Sequence, residues 1–72
     1  MEFVKDNIRH NIKKLRKDYG ISQTDFAHKF GLAGKSSICD IEKGRALPTL
    51  KMIYEVSIAF HISIDSIIKE RL

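Results

Sequence analysis

From Val4 onward, apolar residues recur at intervals of three and four, and the breaks in that rhythm fall on glycine, proline or hydroxyl-bearing residues. Positions spaced in this way share one face of a 3.6-residue helix, whereas a half-buried strand needs alternation with period two. The short Ile62-Ser63-Ile64 alternates, but no run does so in a way that calls for a sheet. The pattern predicts an all-α fold: a compact domain of about five helices over 4–19, 23–30, 35–43, 50–60 and 64–71.

Each segment carries its own start and stop. Val4, Ile8, Ile12, Leu15 and Tyr19 form the stripe of the first, and Gly20 ends it behind the basic turn Arg16-Lys17. Ser22 to Asp25 has the form of a capping box, with Phe26, Ala27 and Phe30 as the apolar face and Gly31 as the stop. Gly31-Leu32-Ala33-Gly34 leads into a third helix marked by Ile38 and Ile41 and ended by Gly44. Pro48 disfavours helix at Leu47, Thr49 caps the fourth helix, and Leu50, Ile53, Tyr54, Val56 and Phe60 are its expected buried side. His61 stands where a helix stops and turns, at an expected strain of at most ~1 kcal/mol, and Ser63 caps the last helix.

The chain has 72 residues, enough for one domain, which at this size buries ~60% of the surface of its unfolded chain. With 43% hydrophobic and 31% charged residues it reads as globular. No apolar run reaches the ~18 residues of a membrane helix, and Met1 to Arg9 lacks the apolar segment of a secretory signal. These features, with a lone Cys39 in place of an even disulfide set, predict a cytoplasmic protein. Cys39 reads as a half-buried filler, and no His or Cys spacing calls for a metal. His10, His28 and His61 fall on separate helices or helix ends, so no catalytic pairing is implied. The chain is not expected to be an enzyme, to carry a cofactor or to bind a small molecule.

Charge is distributed unevenly. Residues 1–51 hold eleven Lys/Arg against six Asp/Glu, whereas residues 52–72 hold two against three. A polyanion suits the first part and not the second. The stretch GLAGKSS imitates a phosphate loop, but that loop has four residues between its first glycine and Gly-Lys-Ser and follows a strand. Here two residues separate Gly31 from Gly34, and a helix precedes them.

The segments GISQTDFAHKFGL (20–32), SSICDIEKGRALPTL (36–50) and IAFHISIDSII (58–68) resemble, in order and spacing, the Cro/XRE-type, lambda-repressor-like helix-turn-helix domains. One departure is an apparent extra residue between Gly31 and Ile38, with Gly34 the natural candidate. The resemblance implies a DNA-binding regulator whose second and third helices form the helix-turn-helix. With Ile38 and Ile41 turned to the core, Lys35, Ser36, Ser37 and Asp40 are left to face bases. Lys35 can donate to guanine, the serines can donate or accept or serve only as first-turn caps, and Asp40 either accepts from cytosine or rejects wrong sites. Only Arg, Asn and Gln readily form the bidentate contacts that discriminate most, so modest direct readout is expected, supplemented by DNA shape. The resemblance further implies DNA-backbone contacts by Ser22 and Gln23 at the start of the second helix and by Lys43 and Arg45 beside Gly44. It also implies a mostly buried ion pair between Arg16 and Glu42.

Members of this family read half-sites as two-fold dimers. Ile58, Ile62, Ile68 and Leu72 exceed what one small core needs and are the expected dimer surface, the other reading being that they pack internally. A repressor on a palindromic operator is the first expectation. An antitoxin-type or controller protein that binds its own promoter and a protein partner is the second.

Overall fold

The structure is a computed structural model that describes residues 2–32 and 34–72, with side chains from Val4 onward. Met1 and Ala33 lie outside the described residues, and with Ala33 the middle of the expected turn after Gly31. The chain forms α1 (Glu2–Tyr19), α2 (Gln23–Lys29), α3 (Lys35–Glu42), α4 (Leu50–Phe60) and α5 (Ile64–Lys69). No strand occurs among the described residues. α1 begins two residues earlier than its stripe implies, and α5 stops at Lys69 in place of residue 71.

Local chemistry accounts for the helix ends. Ser22, Thr49 and Ser63 each precede a helix in extended conformation and accept the amide three residues on, from Asp25 at 3.1 Å, Met52 at 3.2 Å and Ser66 at 3.1 Å. Caps of this kind are worth ~1 kcal/mol each. At the ends of α1 to α4 a left-handed residue (Gly20, Gly31, Gly44 or His61) lets the chain's amides fold back onto the last carbonyls. α4 closes this way on His61 at φ 56°, with amides of His61 and Ile62 donating to Ile58 and Ser57. It is the single non-glycine residue with positive φ among those described.

The core gathers Ile8, Ile12 and Leu15 of α1, Phe26, Ala27 and Phe30 around α2, Ile38 and Ile41 of α3, Met52, Ile53 and Val56 of α4, and Ile67 of α5. Fully burying one such large side chain is worth ~1.5–3 kcal/mol. Three expectations fail here. Tyr19, at the end of the α1 stripe, is mostly exposed, in an edge-on contact with Phe60, ring centroids 4.8 Å apart, and with Lys29 Nζ over its ring. Leu50 and Tyr54 point away from the core, and Met52 takes the buried place. α4 is apolar on nearly every side, so two stripes satisfy a helical period equally well, and packing against the rest of the core decides between them.

α5, six residues long, is fastened by polar groups as well as by Ile67. Asn11, fully buried in α1, donates to the carbonyls of Ile67 at 2.7 Å and Glu70 at 2.6 Å and accepts the Leu72 amide at 2.8 Å. Asn7, one turn earlier, donates to Ile68. Two side chains of α1 thus satisfy the carbonyls that the end of a helix leaves unpaired.

Candidate nucleic-acid interface

One carboxylate organises the meeting of α1, α2 and α3. Glu42, in the last turn of α3 with its side chain 4% exposed, accepts Arg16 Nε at 2.6 Å and Nη2 at 3.0 Å, a two-point pair that crosses from α1. The Nη1 of Arg16 donates to the Ile21 carbonyl, holding the α1–α2 turn to the same point. The hydrogen bond to Glu42 raises the Arg16 pKa above the usual guanidinium value against the opposing effect of burial.

Gln23 completes the network. As the first residue of α2 it donates from Nε2 to Glu42 Oε1 at 3.1 Å. The second Nε2 proton remains at the N-terminus of α2, where backbone N–H groups and the helix dipole favour an anion. Ser22 lies beside it, exposed, its hydroxyl oxygen accepting the Asp25 amide.

With Ile38, Ile41 and Glu42 inward, 100° per residue sets Ser36, Asp40 and Lys43 opposite the core and Lys35 and Ser37 on the two flanks. Lys35, Ser36 and Lys43 are exposed, while Ser37 and Asp40 are half-buried. Ser37 and Asp40 line a shallow concavity with Leu32, Ala46 and Leu47, so Ser37 looks toward the α3–α4 loop. α3 begins at Lys35 after Gly34, whose extended φ of 166° suits any residue. An insertion at Gly34 therefore leaves α3 regular from its first turn.

The loop after α3 is held by Asp40 twice. Its carbonyl accepts the amides of Arg45 at 2.8 Å and Ala46 at 3.3 Å, and its carboxylate lies 3.8 Å from Arg45 Nη1. Both side chains are largely exposed, so this ion pair is worth at most ~1 kcal/mol and leaves Arg45 free to swing to another anion. Gly44, at φ +79°, admits no side chain without strain, and a Cβ there would also stand 3.2 Å from Arg9 Cδ. Arg9 thus packs over the bend between Lys43 and Arg45.

Gln23 and the 43–45 loop are consequently both tied to the last turn of α3, through Glu42 and Asp40. The C-terminal residues are placed otherwise. Ile62, Ile68 and Leu72 pack against the core, and of the expected dimer surface only Ile58 stands well out, 58% exposed. Sequence reading missed the Arg9–Gly44 contact, whose one local signal is that Arg9 lies two helical turns before Arg16. It also missed Asn7 and Asn11, whose signal is a pair of amides four apart flanking the Ile8–Ile12 stripe.

No group of three or more His, Cys, Asp or Glu suited to a metal occurs among the described residues. No described helix is long and apolar enough to cross a membrane. Residues 12–67 match the family model described as Helix-turn-helix. Two proteins of Archaeoglobus fulgidus, each described as an uncharacterized HTH-type transcriptional regulator, are 30% identical to the chain over 60 residues. Those residues cover 83% of the chain, 84% of one relative and 83% of the other. No solved structure matches significantly. On the family match and the five-helix architecture, the chain belongs to the Cro/XRE-type helix-turn-helix family.

Proposed function

We propose that the chain is a DNA-binding transcriptional regulator, not an enzyme, that lays α3 in the major groove and represses by occupying a two-fold operator. The observation that carries this reading is the Arg16–Glu42–Gln23 network, which locks the start of α2 to an α3 whose outward face is wholly polar. Eight residues make a helix of about 12 Å, matched to a major groove about 12 Å wide. Lys35, Ser36, Ser37 and Asp40 are the base-facing set, with Ser37 the most recessed. Gln23, Ser22, Lys43 and Arg45 hold the flanking phosphates.

Selection of bound duplexes from a random pool tests the reading. A palindrome with half-sites about one helical turn apart is expected, and a pool that stays unenriched would overturn it. On the selected site, Lys43→Gln with Arg45→Gln should weaken binding of all sequences alike. The slope of log affinity against log salt should fall by roughly two, because each lost phosphate contact removes ~0.9.

For the dimer, the face of α4 opposite its core side is the better surface. Leu50, Tyr54 and Ile58 follow one another every four residues and all three are exposed. Antiparallel pairing of two α4 helices about Tyr54 sets Leu50 of one copy against Ile58 of the other. It also brings Lys51 of each copy to the side of the other's Glu55, opposite charges in a self-complementary arrangement. Sedimentation should find a dimer at micromolar concentration and a monomer for Ile58→Lys with an unchanged melting temperature; a variant that stays dimeric would place the interface elsewhere.

A further inference from the structure

Along α1, Lys5, Arg9, Lys13 and Lys17 follow one another every four residues. Four residues advance an α-helix by slightly more than one turn, so such a row drifts by ~40° per step. It starts on the side of α1 that carries Arg16 toward α3 and ends on the outer surface. The row meets the 43–45 loop at Arg9, whose side chain lies against Gly44. Beyond Arg9 it continues along a concave surface lined by Arg9, His10, Lys13, Lys14, Lys17 and Asp18.

The acidic neighbours sort these cations. Asp6 reaches Arg9 at 3.4 Å, and Asp18 holds Lys14 at 2.7 Å at the edge of the same concavity. Lys13 and Lys17 are exposed and have no acidic partner within ion-pair distance among the described residues. Unpaired cations in a row are costly to place side by side and favour a polyanion. Continuity with Lys43 and Arg45 through Arg9 indicates which polyanion: a duplex gripped at the loop runs on toward α1.

We propose that the Arg9–Lys13–Lys17 face of α1 is a second phosphate-contact strip, which takes the duplex backbone flanking the segment that α3 reads. It rests on the reading of the chain as a DNA-binding protein and lengthens the footprint of each copy. It adds affinity and salt dependence without sequence information.

The test compares two charge-matched double variants on a long mixed-sequence duplex and on a short duplex cut to one half-site. Lys13→Gln with Lys17→Gln removes the free end of the strip, and Lys69→Gln with Arg71→Gln, both exposed and outside that concavity, removes the same charge elsewhere. On the long duplex the first variant should lower the salt slope by roughly two and the second should leave it near that of the unaltered protein. On the short duplex both should match the unaltered protein. Equal slopes for the two variants on the long duplex would overturn the strip, because only net charge would then be at work. An unaltered protein that binds neither duplex would instead overturn the DNA-binding reading, and the strip with it.

Discussion

Replacing Glu42 with alanine is expected to lower stability by about 3–5 kcal/mol, because it strands the Arg16 guanidinium in a site where 13% of its side chain meets water. Small domains are stable by only ~5–15 kcal/mol, so the variant should be partly unfolded at moderate temperature, with its denaturant midpoint well below that of the unaltered protein. An unchanged midpoint would refute the assignment. The loss comes from an uncompensated charge more than from a missing attraction. Removing both charges, with Arg16→Met and Glu42→Leu together, should therefore recover most of the stability, since a buried pair replaced by packed apolar groups is often neutral. That double variant should nevertheless bind DNA poorly, because Gln23 has lost the acceptor that aims it. The Arg16 pKa is raised, so the stability that its charge contributes is present below the guanidinium range and would be lost as pH rises through it.

Asn11→Asp should be almost as damaging as Asn11→Ala, although it preserves shape. The amide group donates to the carbonyls of Ile67 and Glu70, and a carboxylate set there presents acceptors to acceptors. A buried group left without its partner costs ~1–3 kcal/mol. Ile67 is fully buried, and the cost should be complete there. At Glu70, which is exposed, water can replace the lost donor. Either variant should lose roughly 2–3 kcal/mol, with amide exchange accelerated first in α5. Uniform acceleration across α2 and α3 would show instead that α5 has no separate fastening.

These two sites were unequally visible in the sequence. Helix starts and stops are local, and Ser22, Thr49, Ser63, Gly44 and His61 announced them through residues within one turn. The Arg16–Glu42 pair spans 26 positions, so nothing in spacing or composition connects the two, and only family resemblance joined them. Asn11 was hidden by its chemistry, since an amide beside an apolar stripe looks like a solvated residue until the last turn of α5 arrives above it. The phase of α4 was unreadable because Leu50, Tyr54 and Ile58 are as apolar as Met52, Ile53 and Val56; what a surface does with a second stripe lies outside the chain's own packing.

On the proposed reading, the side chain of Glu42 serves folding and recognition at once, and this divides the interface into a part that is fixed and a part that is free to change. Any single substitution of Glu42 that re-aims Gln23 also strands Arg16 and so costs stability. Lys35 and Ser36 project from α3 with no side-chain hydrogen bond or ion pair to the rest of the described structure, so they can be exchanged at almost no cost to stability. On that reading a lineage built on this scaffold would drift from one operator to another while its grip on the sugar-phosphate chain stays put, and redesign of its sequence preference should begin at those two positions.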